Sequence, residues 1–219
     1  MIVNYPRMRR RAAWPNDLDT ALQFASPNPF SISAPLNWDG KLEYTNGSGW
    51  KTWDGSAIAS GEIENNHCIY LRGTGNSKIT GANSSDAKWS IIGTNIACNG
   101  DVDLLLDYST VKGGNRPSMT NYCYYYMFQG CTSLTSAPSL PATTLANYCY
   151  RSMFYGCKKI KLSTTTSGTY TKSYRIPKSG TGTTASRALD SMFSNTGGTF
   201  NGTPTINTTY YLDKSNTIV

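Results

Sequence analysis

Short stretches of alternating hydrophobic and polar residues, separated by turn residues, run through positions 37–108. Residues 41–45 precede Asn46-Gly47, a strong hairpin signal, and residues 50–53 continue the alternation on the return strand. Further strands are predicted at residues 68–72, 89–92 and 96–98, with the last two forming a pair. Regular short strands with Gly- and Asn-rich turns favour a small antiparallel β-sandwich or barrel.

Tryptophans supply the largest apolar side chains of this region, at Trp38, Trp50, Trp53 and Trp89. We expect them in the core, because aromatic side chains bury large areas in small β-domains. An exposed pair of Trp50 and Trp53 that stacks on a sugar is the alternative.

Residues 121–157 repeat themselves with a period of 26. Asn-Tyr-Cys-Tyr at 121–124 returns at 147–150, and Met-Phe-x-Gly-Cys at 127–131 returns at 153–157. A fixed period of this length predicts a solenoid, in which each unit buries its apolar face against the next. Apolar residues at i, i+3, i+4 and i+8 predict a short helix ending at Gly130 or Gly156, followed by a strand. A degenerate third unit holds Met192-Phe193, 39 residues after the preceding Met-Phe pair.

Five prolines interrupt residues 1–36, which therefore predict an extended arm. A short helical turn over residues 16–24 is the regular element expected there, and Trp14 needs a partner in the body or in a neighbouring subunit. Four arginines of the arm are close together, at Arg7, Arg9, Arg10 and Arg11. They favour docking on an acidic surface or, equally, a solvated terminus.

Composition limits the classes of function. The 219-residue chain has a net charge of +7, but outside the arm its basic residues are scattered, which does not favour nucleic-acid binding. No run of 18 apolar residues predicts a membrane span, and no secretion signal is visible. Four of the six cysteines occupy repeat positions, so we expect reduced, packed thiols.

Catalytic and metal motifs are not found. Cysteines eight residues apart do not have the spacing of a zinc site, and the Asp-rich stretch at 101–107 lacks the Gly and Glu of a calcium loop. The single histidine, His67, is expected in an exposed loop. We therefore predict a non-enzymatic protein without cofactor or metal. A cleft that gathers two of the carboxylates Glu43, Asp54, Glu62 and Glu64 would favour a carbohydrate-active enzyme instead.

Tyrosines crowd the repeats, and a short helix cannot bury them all. Tyrosine provides a large contact area with one polar group and is enriched at recognition surfaces. The predicted recognition surface comprises Tyr124, Tyr125, Tyr126, Tyr150 and Tyr155. Packing between repeats or against a neighbouring subunit is the alternative.

The motif Met-Phe-x-Gly-Cys-Thr-Ser-Leu-Thr-Ser-Ala-Pro, which begins at Met127, resembles the BspA-like leucine-rich repeats of bacterial surface antigens. Residues 42–108 more weakly resemble segments that precede such repeats in proteins of gut bacteria and their phages. The resemblance implies adhesion or binding of protein or glycan at surfaces, without catalytic residues. This chain departs from the usual bacterial members in two ways, since no secretion signal or anchor is visible and only two repeats are well formed. Both departures favour a phage virion component, such as a head fibre, decoration protein or tail appendage. The alternative is a bacterial cell-surface or secreted adhesin.

These expectations combine into a mainly β fold: an extended arm, a small antiparallel sandwich or barrel, and a short leucine-rich-repeat-like solenoid with a β cap. The predicted divisions are a particle-anchoring arm at 1–36, a β-domain at 37–108, repeats at 109–162, and a degenerate repeat with the cap at 163–219. The arm, through its four arginines and Trp14, would bind other virion proteins. We also expect a homo-oligomer that contacts a host surface glycan or protein.

Overall fold

The computed structural model describes residues 14–35, 38, 40–81 and 86–214. Its strands are β1 (Leu22–Ser26), β2 (Ser31–Ser33), β3 (Leu42–Thr45), β4 (Lys51–Trp53), β5 (Ile58–Ala59), β6 (Gly61–Ile63), β7 (Asn66–Gly73), β8 (Ser90–Ile92), β9 (Ala97–Asn99), β10 (Lys161–Ser163), β11 (Tyr170–Ile176), β12 (Gly197–Gly198) and β13 (Thr208–Asp213). A single 3-10 turn (Leu18–Thr20) and one α-helix, α1 (Leu104–Lys112), complete the regular elements of these residues.

The strands form three separate sheets, and no sheet closes into a barrel within the described residues. A six-stranded antiparallel sheet has the order β4-β3-β7-β1-β9, with β6 also pairing with β7. A three-stranded sheet has the order β5-β2-β8. A four-stranded sheet near the C-terminus has the order β11-β13-β10-β12, and only its β10–β12 pair is parallel.

Strand β1 occupies the interior of the six-stranded sheet, between β7 and β9. The helical turn predicted over residues 16–24 is found as the shorter 3-10 turn Leu18–Thr20. The prediction of an extended arm is wrong for the residues of β1, which form a paired strand. Leu22 and Phe24 point to one face of the strand and are fully buried, which explains the structure that forms. A strand with an apolar face gains more by pairing with two neighbours than by remaining extended in water.

The predicted hairpin at Asn46-Gly47 is confirmed, since β3 and β4 pair antiparallel. The predicted pairing of residues 89–92 with 96–98 is wrong. Strand β8 instead pairs with β2, and β9 pairs with β1. Trp53 and Trp89 are buried in contact with each other, and the half-buried Trp38 packs on Trp53, as expected of core side chains.

The repeats consist of consecutive turns. We call residues 121–131, 147–157 and 186–196 the first, second and third turn segments. Every second N–H of the first segment donates to the carbonyl three residues earlier, as Met127 does to Tyr124 at 3.2 Å. The intervening N–H groups donate to the second segment, as Phe128 does to Met153 at 2.9 Å. The second segment donates in the same way to the third.

A left-handed residue stands at every fourth position of the turn segments, beginning with Tyr122 (φ 65°), Tyr126 (φ 56°) and Gly130 (φ 71°). A right-handed helix cannot continue through a positive φ, so the predicted short helix is wrong. The left-handed residues turn alternate N–H groups toward the neighbouring segment, where they find carbonyl partners.

The predicted solenoid of helix-plus-strand units is therefore wrong. Among the described residues the α-helix precedes the repeats, and the strands belong to the three sheets. Equivalent side chains of the turn segments nevertheless contact one another. Phe128, Phe154 and Phe193 stack with ring centroids 5.6 and 5.2 Å apart. One cluster of contacting buried side chains extends from Leu22 in β1 to Leu212 in β13.

Candidate recognition face

Along the turn segments, two residues that face the interior alternate with two residues that face outward. Cys123 and Tyr124 are buried, Tyr125 and Tyr126 are partly exposed, and the next two residues are again buried. The left-handed residue at every fourth position produces this alternation, because it reverses the direction of the chain each time. The outward residues of the three segments consequently lie in columns across the surface.

One column contains Tyr122, Tyr148 and Arg187, which hold equivalent positions in the three segments. The rings of Tyr122 and Tyr148 are parallel, with an interplanar angle of 3° and centroids 4.9 Å apart. The Arg187 guanidinium carbon lies 5.6 Å from the Tyr148 ring centroid, on the side of the third segment. Tyr122 is 42% exposed, the most exposed large hydrophobic side chain of this column.

A second column contains Tyr125, Arg151 and Asp190. The Arg151 guanidinium carbon lies 5.9 Å from the Tyr125 ring centroid and 5.5 Å from that of Tyr148. Asp190 accepts a hydrogen bond from Arg187 Nε at 2.6 Å. The Tyr125 ring also stacks on the Tyr126 ring, with centroids 4.1 Å apart. We define the tyrosine–arginine face as the outward residues that these ring contacts join: Tyr122, Tyr125, Tyr126, Tyr148, Arg151 and Arg187.

Hydrogen bonds from backbone N–H groups to asparagine side chains hold this face in place. Asn121 Oδ1 accepts from the Asn147 N–H at 3.1 Å, and Asn147 Oδ1 accepts from the Ser186 N–H at 2.9 Å. These two bonds link the starts of the three segments, directly beside the Tyr122–Tyr148 column. The rings therefore stand on a fixed backbone, and ordering them for a ligand costs little conformational entropy.

Of the predicted recognition residues, Tyr125, Tyr126 and Tyr155 are partly exposed. Tyr124 and Tyr150 are fully buried and stack on each other at 5.3 Å, so their assignment to a surface is wrong. They occupy inward positions of the turn segments. The prediction assumed a helix and could not distinguish the two inward positions from the two outward ones.

Four residues of the face were not among the predicted sites: Tyr122, Tyr148, Arg151 and Arg187. The signal that could have identified them is the pairing of residue types along the segment. The pairs Cys-Tyr and Met-Phe return at the inward positions of both repeats, whereas the outward pair Tyr125-Tyr126 is replaced by Arg151-Ser152. Positions that keep apolar character in every unit are interior. Of the two positions that change, Arg151 is partly exposed, whereas Ser152 is buried although it is polar.

A polar cluster lies beneath the first and second segments. The Tyr124 hydroxyl donates to Asp103 Oδ1 at 3.1 Å, while Asp103 Oδ2 and the Tyr150 hydroxyl have no hydrogen-bond partner among the described residues. Burial, followed by the charge of Asp101, raises the pKa of Asp103 to about 7. Arg116 pairs with Asp101 and stands 3.8 Å from Asp103 Oδ2.

The anchoring arginines Arg7, Arg9, Arg10 and Arg11 lie outside the described residues. Trp14 is half-buried, with its ring 5.6 Å from that of Tyr70 in an edge-to-face arrangement. Its indole N–H donates to the carbonyl of Glu62 at 3.3 Å. Trp14 thus contacts the body of its own chain.

A groove of about 890 Å³ lies between the β1 side of the six-stranded sheet and strand β11. Lys112 and Lys172 line it together with apolar residues such as Leu104. None of the carboxylates Glu43, Asp54, Glu62 and Glu64 is among its described lining residues. His67 lies on β7, half-buried and 3.9 Å from Glu62, so the prediction of an exposed loop is wrong for this residue.

Comparison with known proteins identifies no relative: no family model matches the chain, and neither a curated protein nor a solved structure is found to be similar. Among the described residues, no group of three or more Cys, His, Asp or Glu is placed to hold a metal ion. The same residues contain no helix with the length and hydropathy required to cross a bilayer.

Proposed function

We propose that this chain is a non-enzymatic binding protein whose tyrosine–arginine face attaches to a ligand on a cell surface. The observation that carries the proposal is the parallel Tyr122–Tyr148 pair, which is held on a hydrogen-bonded backbone and flanked by two arginines. Solvent-accessible aromatic rings with adjacent arginines are characteristic of the centres of recognition surfaces.

The location we propose is the virion of a phage, with the chain acting as a head fibre, decoration protein or tail appendage. This part of the proposal rests on the resemblance of residues 127–157 to BspA-like repeats. The basic segment with Arg7, Arg9, Arg10 and Arg11 would bind the capsid or tail proteins, and copies of the chain would associate as a homo-oligomer. The body would then present the tyrosine–arginine face outward.

The face is tested by the double substitution of Tyr122→Ala with Tyr148→Ala. We expect the variant to lose at least about 10-fold in binding to a panel of intact bacterial cells, because each truncated aromatic anchor of a recognition surface costs about 1–2 kcal/mol or more. Flow cytometry with fluorescently labelled protein measures the binding. Tyr44→Ala is the matched control, since Tyr44 also packs against a cation, Lys51, with 5.6 Å between the ring centroid and Nζ. Equal binding by the double variant and the wild type would exclude the face as the attachment site.

The location is tested by deleting residues 1–13. We expect the truncated chain to keep its thermal transition, because Trp14 and the strands that follow supply the contacts described above. We also expect it to be missing from purified particles, as measured by immunogold labelling of virions and cells. Labelling of the cell envelope, with none on particles, would support the adhesin alternative.

A further inference from the structure

We infer that the ligand of the tyrosine–arginine face is an acidic saccharide, whose carboxylate binds Arg151 and whose C–H surface lies on the tyrosine rings. The inference rests on the proposed function and names the class of ligand for that face. Its structural basis is one cation that has aromatic neighbours but, in the described part of the chain, no acidic partner.

Arg151 is the unusual residue of the face. Its guanidinium lies 5.9 and 5.5 Å from two ring centroids, and within the described residues no carboxylate is within ion-pair distance of it. The other arginine of the face, Arg187, is held by Asp190 at 2.6 Å. Arg72 in the six-stranded sheet binds Asp17 at 2.6 Å and Glu43 at 2.9 Å. Arg151 is therefore the face's available site for an anion.

The chemistry of the site favours a carboxylate. A guanidinium presents paired N–H donors that match the two oxygens of a carboxylate, and such charge-assisted pairs are stronger than neutral hydrogen bonds. Arg151 is half-buried, which weakens the competition from water. Since Asp190 already neutralises Arg187, the face offers one cationic site, which suits a ligand with a single negative charge at this position.

The aromatic geometry favours a sugar over a nucleic acid. The Tyr122 and Tyr148 rings contact each other at 4.9 Å, so no base can insert between them. Single-stranded nucleic acids also require a series of cations along the backbone, and the face supplies one. A pyranose ring needs an aromatic surface for its C–H groups and polar groups at the edge. Tyr122, which is 42% exposed, offers the aromatic surface, and Arg151 offers a polar group.

The test is a glycan microarray that contains uronic and sialic acid glycans, their carboxyl-reduced counterparts, sulfated glycans and single-stranded DNA. We expect the wild type to bind the carboxylated glycans at least about 10-fold more tightly than the reduced ones. This ratio of affinities corresponds to the contribution of one charge-assisted hydrogen-bond pair. Arg151→Gln should reduce binding of carboxylated glycans by the same factor and leave binding of the reduced glycans unchanged. Arg151→Lys should retain part of the preference for carboxylated over reduced glycans. Arg175→Gln is the matched control, since the Arg175 guanidinium donates to the carbonyl of Gly180 and has no ion-pair partner among the described residues.

The outcomes separate this inference from the proposed function. If Tyr122→Ala with Tyr148→Ala abolishes glycan binding while Arg151→Gln does not alter it, the ligand is neutral; the inference fails and the function stands. Preference for sulfated glycans or for DNA also overturns the carboxylate assignment. If the wild type binds no probe and the tyrosine substitutions change only the oligomeric state in light scattering, the face joins subunits, and both proposals fail. Unchanged melting temperatures in all variants establish that each one is folded.

Discussion

At the scale of single residues, Asp103 is a carboxylic acid in the interior of the protein. It is fully buried, and its Oδ2 has no hydrogen-bond partner among the described residues. Raising the pKa from 3.8 to about 7 favours the protonated acid in the folded state. The folded protein therefore holds more protons than the unfolded chain between these two pKa values, and Asp103 lowers stability progressively as pH rises through this interval.

Asp103→Asn should stabilise the protein relative to the wild type, and by more at pH 8 than at pH 5. The difference between the two pKa values corresponds to about 4 kcal/mol in the free energy of unfolding, and we expect a gain of that order or smaller at pH 8. Denaturant unfolding at both pH values measures it.

Asp107→Asn is the control with the opposite sign. Hydrogen bonds from Ser109 and Thr110 lower the pKa of Asp107, so its loss should destabilise the protein at pH 8. A gain from Asp103→Asn that is equal at the two pH values would contradict the burial of a titrating acid.

At the scale of elements, the turn segments depend on residues that adopt a positive φ. Gly130 has a φ of 71°, and a Cβ built on it meets no atom within 4 Å. A helix was predicted to end at this glycine; the residue instead ends a chain of turns, in which Tyr122 and Tyr126 also have a positive φ. Any effect of a small side chain here must therefore arise from backbone strain alone.

Gly130→Ala should cost about 1–2 kcal/mol of unfolding free energy, the cost of a left-handed conformation for an L-residue. Gly47→Ala is the matched control, because its Cβ also meets no atom within 4 Å and its φ is not positive. We expect the control to change stability by less than about 0.5 kcal/mol. Equal effects of the two substitutions in urea denaturation would show that the left-handed position carries no strain.

The sequence contained the period but not the conformation of the repeat. An offset of 26 aligned Met127-Phe128 with Met153-Phe154, and the two phenylalanine rings of these pairs do stack in the structure. Apolar residues at i, i+3, i+4 and i+8 fit a helix as well as a chain of turns, and the inter-segment hydrogen bonds that decide between them are not visible in a local pattern. Strand β1 was missed for a related reason, since its partners β7 and β9 lie more than 40 residues away in the chain.

At the scale of the whole molecule, Arg72 connects distant parts of the chain to the six-stranded sheet. It lies on β7, and its guanidinium is bound by Asp17 before β1 and by Glu43 on β3. Its guanidinium carbon is also 3.9 Å from the Trp50 ring centroid and 4.3 Å from that of Tyr108 on α1. One cation thus joins a turn, two strands and a helix.

Arg72→Lys should destabilise the protein by about 2 kcal/mol, because an ammonium group cannot bond both carboxylates with the same geometry or stack flat between two rings. Arg175→Lys should change stability by less than about 0.5 kcal/mol, because the half-buried Arg175 has no carboxylate partner in the described part of the chain. Thermal unfolding at low and high salt measures both. If the two substitutions had equal effects, Arg72 would not be the connecting residue described here.

The buried cysteines have a practical consequence for experiments on this protein. Cys68 and Cys98 lie in the six-stranded sheet, whereas Cys123, Cys131, Cys149 and Cys157 lie in the turn segments, and all six are free thiols. Burial raises the pKa of Cys68 to about 11 and also raises that of Cys98 well above its usual value, so these sulfurs resist alkylation until the surrounding chain opens. Labelling rates resolved by mass spectrometry would therefore report, without any added probe, whether the sheet and the stacked segments open together or one before the other.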